Sequence, residues 1–367
     1  MTKLQDLYAQ QRQSPWLDNL KRGWVTGGEL RRWVDRGVRG ITSNPTIFQK
    51  AIVAGTDYDD QFGTLVQQGE SIVDSYWDLV TKDIEDALAI MRPVHDGSDG
   101  EDGFVSVELA PDLARDTEGS IATARQLHEL IAEPNVFVKI PGTAEGVPAI
   151  RQMIAEGRNI NITLLFGLAR YDEVIEAYIS GLETFAEGGG DLHQVNSVAS
   201  FFVSRVDTEV DRRLDALGTD EALSLRGLAA VANAKLAYQL FLERFSGPRW
   251  ETLAAKGGRL QRPLWASTSA KNPAYPDTLY VDTLIGPHTV NTMPEATLDA
   301  FEDHGVLAPT VEDDVDDARS VFERLAALGI DMEDVSHTLE EEGVAAFAKS
   351  FDELLTALQA KADQLGN

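Results

Sequence analysis

Short apolar segments alternate with longer amphipathic segments along most of the chain. The apolar segments are rich in β-branched and aromatic residues and are bounded by turn residues, which is typical of buried strands. The longer segments carry apolar residues at the 3.6-residue period of a helix, most clearly at residues 72–88. This pattern predicts eight strands, at residues 15–19, 38–45, 104–109, 136–140, 159–166, 194–200, 262–267 and 288–293.

Strands that alternate with helices pair in parallel through right-handed crossovers. Eight such units in roughly 300 residues predict an α/β fold, a closed (β/α)8 TIM barrel with extra helices. An open doubly wound sheet is the alternative, but the nucleotide-binding motifs G-x-G-x-x-G and G-x-x-x-x-G-K-[ST] are absent from the sequence. Residues 280–285 are compatible with a strand or a short helix. We expect a catalytic barrel over residues 1–310 and a helical C-terminal extension over residues 311–367, packed on the barrel in the same domain.

A lysine interrupts the fourth predicted strand. Lys139 follows Val136, Phe137 and Val138 and is followed by one more apolar residue and a Pro-Gly turn. Lysine is almost never fully buried without a partner, and burial disfavours its charged form. Lys139 is therefore a candidate amine nucleophile of the Schiff-base type. The structural alternative is a strand-end lysine whose ammonium group reaches water.

Polar side chains stand at the C-terminal ends of seven of the eight predicted strands. In a (β/α)8 barrel these ends carry the chemistry, with several strands each contributing a side chain. One such residue would be unremarkable, but residues from so many strands together indicate a catalytic face. The set consists of Asp18, Asn44, Glu108, Lys139, Asn161 with Thr163, Ser200, and Lys271 just past strand seven.

The composition argues against several other classes of function. A net charge of −28 over 367 residues opposes binding to nucleic acid or to anionic lipid, both of which require a basic surface. There is no cysteine, and the six histidines lack the H-x-x-x-H and H-E-x-x-H spacings of metal sites, so we expect neither a metal nor another cofactor. No apolar run approaches the ~20 residues of a membrane span, and the polar N-terminus is unlike a signal peptide. We therefore expect a cytoplasmic protein that binds anionic metabolites in a locally positive pocket.

Four segments carry further information through their exact sequence. They are ITSNPT at 41–46, VKIPGT at 138–143, NINITLLF at 159–166 and SFFVSR at 200–205. In this order they resemble the transaldolase family, and the similarity runs from about Trp16 to Met293. The segment WASTSAKNP at 265–273 is similar to the longer bacterial form of the enzyme.

The resemblance implies a (β/α)8 barrel with a Schiff-base lysine on strand four, the position of Lys139. It implies that Lys139 attacks the C2 ketone of a ketose phosphate, while Glu108 and Thr163 move protons through a shared water. The iminium would then act as the electron sink for C3–C4 cleavage, with Asp18 taking the proton of the C4 hydroxyl. The retained dihydroxyacetone unit would add to an aldose phosphate.

The resemblance also assigns substrate binding to six residues: Asn44, Asn161, Ser200, Phe202, Arg205 and Lys271. The two asparagines would hydrogen-bond the hydroxyl groups of the sugar. Arg205 and Lys271, with Ser200, would bind the phosphate. The family usually has an arginine at the position of Lys271, and a lysine there supplies charge without bidentate geometry.

Two other functions stay open at this stage. A class I aldolase on the same barrel would cleave the same bond but release free dihydroxyacetone. A catalytically silent barrel would bind sugar phosphates as a sensor or scaffold, although such a protein has no need of a buried amine. The sequence leaves the oligomeric state open, with a homodimer among the alternatives.

Overall fold

All eight strands lie in one closed barrel, and each pairs in parallel with its neighbours in the chain. The computed structural model describes residues 1–365. The strands are β1 (Gln13–Leu17), β2 (Gly40–Ile41), β3 (Phe104–Glu108), β4 (Val136–Pro141), β5 (Ile160–Leu165), β6 (Ser197–Phe202), β7 (Gln261–Ala266) and β8 (Thr289–Met293). Pro15 of β1 pairs with Asn291 of β8, which closes the barrel. The predicted (β/α)8 fold is confirmed, and the open-sheet alternative is wrong.

Helices connect the strands around the outside of the barrel. In chain order they are α1 (Lys3–Gln11), α2 (Arg22–Thr26), α3 (Glu29–Arg36), α4 (Pro45–Ala54), α5 (Asp59–Gln68), α6 (Ile72–Gly97), α7 (Thr117–Ile131), α8 (Gly146–Ala155), α9 (Leu168–Glu187), α10 (Ser204–Leu217), α11 (Asp220–Ser224), α12 (Ala229–Arg244), α13 (Gly247–Ala254), α14 (Leu279–Asp282), α15 (Glu295–His304), α16 (Val315–Ala327) and α17 (Met332–Leu365). Short 3-10 turns at Pro111–Arg115 and Leu192–Gln194 precede α7 and β6. Within residues 1–365, no helix is both long enough and apolar enough to cross a membrane.

The sixth strand begins later than the sequence predicts. The backbone N–H groups of Gln194 and Val195 donate to carbonyl groups three residues earlier, so the chain there is still in a 3-10 turn. Strand pairing with β7 starts at Ser197 and continues to Phe202. β6 therefore ends at Phe202, two residues later than predicted, at the face where the predicted site residues lie.

The segment at 280–285 resolves to a short helix rather than a strand. The backbone N–H groups of Val281 and Asp282 both donate to the carbonyl oxygen of Thr278, which closes a helical turn. The Asp282 carboxylate then accepts from the backbone N–H of Val306 at 3.0 Å. This side chain ties α14 to the loop after α15.

Three aromatic side chains fill the barrel interior below the C-terminal strand ends. The rings of Phe104 and Phe137 stack with their centroids 4.1 Å apart, and the Trp16 ring lies 6.2 Å from that of Phe137. Gly40 makes room for them, because a Cβ there would lie 2.3 Å from the indole of Trp16. The aromatic layer closes the barrel beneath the predicted site.

A buried ion network lies at the opposite, N-terminal ends of the strands. The fully buried Asp102 carboxylate accepts from Arg39 Nε at 2.7 Å, Arg262 Nη2 at 3.0 Å and Ser14 Oγ at 2.7 Å. Burial alone would raise the pKa of Asp102, but the two guanidinium groups hold it below its usual value. Because its charges are paired and it lies at the N-terminal face of the barrel, this network has a structural role rather than a chemical one.

The two C-terminal helices pack on different parts of the molecule. α16 packs on α12, whereas α17 runs from α10 to α4 and α5. Near its start, Asp334 accepts from Arg213 Nη1 at 2.6 Å, and farther along, Ser350 accepts from Thr46 Oγ1 at 2.8 Å. The two predicted amphipathic helices are confirmed within the described residues, and the domain boundary at residue 310 stays a prediction.

Candidate active site

The strand register brings three of the predicted site residues into one row. Glu108 of β3 pairs with Lys139 of β4, and Lys139 pairs with Asn161 of β5. Register partners in adjacent parallel strands point to the same face of the sheet, and these three side chains are buried inside the barrel. Thr163 lies two residues beyond Asn161 and therefore faces the same way.

The amine of Lys139 is buried and held by two acceptors. The residue is 5% exposed, and its Nζ donates to Glu108 Oε2 at 2.9 Å and to the Ser43 carbonyl oxygen at 3.0 Å. The alternative of a strand-end lysine in water therefore does not hold. Burial raises the pKa of Glu108, while the charge and the hydrogen bond of Lys139 oppose that shift. A carboxyl group with a raised pKa accepts a proton more readily, so Glu108 is placed to take the ammonium proton and leave a neutral amine.

Three hydrogen-bonded residues and one hydroxyl without a partner among the described residues lie beside this lysine. Asn161 Nδ2 donates to Ser106 Oγ at 3.0 Å, and Ser200 Oγ donates to Asn161 Oδ1 at 2.7 Å. The hydroxyl of Thr163 is buried, lines the cavity described below and has no hydrogen-bond partner among the described residues. A buried hydroxyl of this kind can hold a water molecule or a substrate oxygen.

Asp18 stands directly after β1, across the barrel mouth from the lysine row. Its Oδ1 accepts from Thr42 Oγ1 at 2.7 Å, and the Thr42 hydroxyl is also 2.6 Å from that of Thr292. Burial raises the pKa of Asp18, and the Thr42 hydrogen bond and the nearby Lys139 charge oppose this. Such a carboxyl group can accept a proton from a substrate hydroxyl.

A cavity of about 650 Å³ opens above these residues at the C-terminal end of the barrel. Eight of the ten predicted site residues line it: Asp18, Asn44, Lys139, Thr163, Ser200, Phe202, Arg205 and Lys271. Glu108 and Asn161 are not part of the lining and lie beneath it, bonded to lining residues. The structure thus brings all ten into one region.

Arg205 is the main cation on the β6 side of the cavity. It lies in the first turn of α10, with its guanidinium carbon 5.2 Å from the Phe202 ring and 5.9 Å from the Phe347 ring. Burial lowers the pKa of Arg205, and the Glu108 carboxylate is the strongest opposing charge. A guanidinium held between aromatic rings is well suited to bind an anion at a fixed position.

Lys271 stands farther out, at the mouth of the cavity. It is exposed, and its Nζ donates to Ser269 Oγ at 2.7 Å. Ser200 is not bonded to either cation, because its hydroxyl is committed to Asn161 deeper in the barrel. The structure therefore groups Ser200 with Asn161 rather than with the two cations.

Asn44 reaches the cavity as the cap of α4. Its Oδ1 accepts from the backbone N–H of Ile47 at 3.0 Å, and Pro45 occupies the first helical position. Both features are typical helix-start signals. The cap uses the acceptor of the amide and leaves the Nδ2 donor to meet a ligand.

Two residues with left-handed backbone lie at strand ends beside the cavity. Leu164 has φ 60° and Ser267 has φ 56°. The register between β5 and β6 shifts between Ile162 and Leu165, which marks a bulge. Each non-glycine residue in this region costs about 1–2 kcal/mol, and bulges often re-aim side chains next to active sites. Here the bulge adjoins Thr163.

Several residues of the site were missed from the sequence. They are Thr42, Ser43, Ser106 and Thr292 in the barrel, Lys21 and Lys50 at the mouth, and Phe347 on α17. Thr42 and Ser43 lie in the ITSNPT segment next to Asn44, so that motif contained a signal for them. Nothing in the local sequence signals Phe347, which reaches the cavity only because α17 crosses it.

Comparison with known proteins identifies the family of this chain. The sequence model of the family described as Transaldolase/Fructose-6-phosphate aldolase matches residues 15–358. The chain belongs to this family. A transaldolase of Frankia alni is 50% identical over 96% of this chain and 94% of its own length. Transaldolases of Acidothermus cellulolyticus and Mycobacterium tuberculosis are 51% and 48% identical over 94% and 95% of this chain, and over 93% and 95% of their own lengths.

The transaldolase-family cavity is built from an amine, carboxyl groups, hydroxyls, amides and cations. Across residues 1–365, no group of three or more histidine, aspartate or glutamate side chains is arranged to hold a metal ion. The residues present suit covalent and acid–base chemistry on a phosphorylated carbonyl compound.

Proposed function

We propose that this chain is a transaldolase of the pentose phosphate pathway. It transfers a dihydroxyacetone unit from a ketose phosphate, sedoheptulose 7-phosphate or fructose 6-phosphate. The acceptor is an aldose phosphate, glyceraldehyde 3-phosphate or erythrose 4-phosphate. The observation that carries the proposal is the buried Lys139 amine, bonded to Glu108 at 2.9 Å at the base of a cavity with cations at its rim.

The first half of the reaction forms the covalent intermediate. Glu108 takes a proton from Lys139, and the neutral amine attacks the C2 ketone to give a carbinolamine. Loss of water then needs a proton on the C2 hydroxyl, and Glu108 returns it. Thr163 supports this step, because its unpartnered hydroxyl can hold the water that relays the proton. The product is an iminium joining C2 to Lys139.

The second half breaks and remakes a carbon–carbon bond. Asp18 takes the proton of the C4 hydroxyl, the C3–C4 electrons move into the iminium, and the aldose phosphate leaves. The three-carbon enamine stays attached to Lys139. It attacks the carbonyl carbon of the acceptor, and Asp18 returns its proton to the new hydroxyl. Hydrolysis of the iminium releases the new ketose phosphate.

The remaining residues hold the substrate during these steps. Asn44 and Asn161 bind hydroxyl groups of the three-carbon unit, with Ser200 orienting the Asn161 amide at 2.7 Å. Arg205, packed on Phe202, binds the phosphate with Lys271. Positioning of this kind fixes which ketone carbon meets Lys139.

Reduction of the intermediate tests the covalent step. Borohydride added with fructose 6-phosphate should inactivate the protein and leave a three-carbon unit at Lys139, found by peptide mapping. Lys235 is a matched internal control, because it is 7% exposed but bonded to the Asp313 carbonyl outside the cavity. Lys139→Arg should abolish labelling and turnover with the fold intact, since a guanidinium stays protonated. Label at Lys235, or at no lysine, would refute the assignment.

The family description names an aldolase as well as a transaldolase, so release must be separated from transfer. Rapid turnover of fructose 6-phosphate should require erythrose 4-phosphate. Without acceptor, release of dihydroxyacetone should be at least about tenfold slower, or 1.4 kcal/mol in barrier. Equal rates with and without acceptor would make the chain an aldolase. Binding of sugar phosphates without any turnover would make it a silent barrel.

We further propose that the protein acts in the cytoplasm without nucleic-acid or membrane partners, with a homodimer as the oligomeric state to be tested. The net charge of −28 supports the absence of polyanionic partners. Light scattering of the purified chain tests the dimer.

A further inference from the structure

Four cationic side chains other than Lys139 line the cavity: Lys21, Lys50, Arg205 and Lys271. Lys21 has a partner, because its Nζ lies 3.4 Å from Glu295 and 4.4 Å from the Trp24 ring. In the part of the chain that the structure describes, the other three have no carboxylate within ion-pair distance. Lys271 bonds only to a serine hydroxyl, and Lys50 has no hydrogen bond at all among these residues.

Lys50 belongs to the face of α4 that looks into the cavity. The residues of α4 in the lining are Thr46, Ile47, Lys50 and Ala51, which form one stripe at i, i+4 spacing. α17 holds this helix in place, because Gln49 Nε2 donates to Glu353 Oε2 at 2.9 Å and Thr46 Oγ1 donates to Ser350 Oγ at 2.8 Å. Lys50 is exposed and lines the same cavity as Arg205 and Lys271.

Both of the other cations act on Lys271. Crowding by neighbouring atoms, the Arg205 cation and the Lys50 cation all lower the pKa of Lys271, with Asp18 opposing them. Like charges brought together are unfavourable unless an anion joins them. None of the 60 acidic residues forms an ion pair with these three cations within the described structure, although Asp18 and Glu108 act on them from a greater distance. A phosphate monoester, with a charge of about −1.5 to −2 near pH 7, has the charge the group lacks.

We propose that Lys50 is a third phosphate-binding residue, which completes from α4 the site begun by Arg205 and Lys271. The role of Lys50 rests on the proposed function only in one respect, which is the identity of the phosphorylated compound that binds. Arg205 gives the phosphate a fixed position, and the two lysines add charge at the mouth. The dianionic end of the sugar is thereby favoured over an uncharged end.

Lys50→Gln tests this with Lys256→Gln as the matched control. Lys256 is exposed in the loop before β7, at the other end of the barrel, and its replacement changes the net charge equally. Lys50→Gln should raise KM for fructose 6-phosphate about three- to tenfold, the range for one partly screened charge, with kcat within about twofold. It should leave kcat/KM for fructose, which lacks the phosphate, unchanged. Lys50→Arg should restore most of the lost affinity, and Lys256→Gln should match the wild type.

Binding of inorganic phosphate by calorimetry separates this proposal from the proposed function, because it requires no turnover. Weaker phosphate binding by Lys50→Gln, with no loss in Lys256→Gln, supports the site even if transfer activity is absent. Phosphate affinity equal to that of the wild type overturns the proposal even if transfer activity is present. Equal effects on fructose and fructose 6-phosphate also overturn it.

Discussion

Asp18 and Glu108 are both carboxyl groups whose pKa is raised by burial, but they are partnered differently. Glu108 accepts a hydrogen bond from the Lys139 amine, whereas Asp18 accepts one from the neutral hydroxyl of Thr42. The charged form of Asp18 therefore has a neutral hydrogen-bond partner, whereas the charged form of Glu108 has a cationic one. A buried carboxylate with only a neutral hydroxyl in direct contact suits the proposed role of proton acceptor, and its ionised form lowers the stability of the fold.

Replacing Asp18 with asparagine should lower kcat at least about a hundredfold and stabilise the fold at pH 7. A raised folded pKa means that the folded state binds more protons than the unfolded state, so ionised Asp18 lowers stability above its unfolded pKa of about 3.9. Asparagine removes that penalty and can still accept the Thr42 hydrogen bond. The free energy of unfolding in urea should be higher for Asp18→Asn at pH 7, and the difference should vanish as the pH falls toward about 4.

Asp207 provides the control for this prediction. Burial raises its pKa to about 6, and it accepts from Tyr280 Oη at 2.7 Å outside the cavity. Asp207→Asn should alter the pH dependence of stability in the same sense without lowering kcat. A variant of Asp18 that is less stable than the wild type by the same amount at both pH values would contradict the argument.

At the residue scale, the sequence predicted the reacting groups better than their partners. Lys139 and Asp18 could be found because a charged residue at the end of an apolar strand is unusual in itself. Thr42 could not be assigned to Asp18, because that contact depends on how β1, β2 and β8 meet when the barrel closes. Serine and threonine occur in strands for many reasons, so the sequence alone does not show which of them will be hydrogen-bond partners of the reacting groups.

Among the elements, α17 reaches the cavity from outside the barrel with one side chain, that of Phe347. It comes close to the cavity at Gly343, where a Cβ would lie 2.9 Å from Leu164 and 3.7 Å from Arg205. One turn later it places the ring of Phe347 near the Arg205 guanidinium. The helix therefore packs against the arginine, which lies in the first turn of α10.

Phe347→Ala should raise KM for phosphorylated sugars about threefold to tenfold, from the loss of a cation–π contact worth roughly 1 kcal/mol. The effect on kcat should be smaller, because the reacting groups are on other elements. Steady-state kinetics with fructose 6-phosphate measure both values. Phe351→Ala is the matched control on the same helix, since its ring packs at 5.2 Å on Tyr76 outside the cavity. If both variants change KM equally, Phe347 acts through the stability of α17 and not through Arg205.

The sequence predicted the two C-terminal helices but not what they touch. An amphipathic period shows that one face is buried, and it does not say against which surface. The partners of α17 are side chains such as Thr46 and Arg213, far away in the chain. The sequence also placed the start of β6 too early. The residues just before Ser197 suit a strand, but local hydrogen bonds hold them in a turn.

For the whole molecule, the fold class was predictable because it depends on the number and order of the strands and helices. Eight strand signals with helical signals between them leave few topologies that bury every apolar face. The Asp102 network at the other end of the barrel was not predicted, since its members come from separate segments that meet only in the closed barrel.

The activity should survive prolonged treatment with a chelator. In the proposed reaction the iminium on Lys139 accepts the electrons of the broken bond, so no divalent ion is needed for that task. The rate of transfer before and after chelation, at equal ionic strength, is the measurement. An activity that disappears and returns only with a divalent ion would contradict this prediction and the role given to Lys139.

Closure of the barrel through its first and last strands also determines when the enzyme becomes complete during synthesis. β1 cannot pair with β8 until residue 293 has left the ribosome, and Phe347 follows 347 − 293 = 54 residues later. At about 5–20 residues per second this interval lasts roughly 3–11 seconds. During that time a nascent chain can hold a closed barrel and a reactive lysine while Arg205 lacks its second aromatic neighbour. The second aromatic neighbour of Arg205 is therefore added only after the barrel can close.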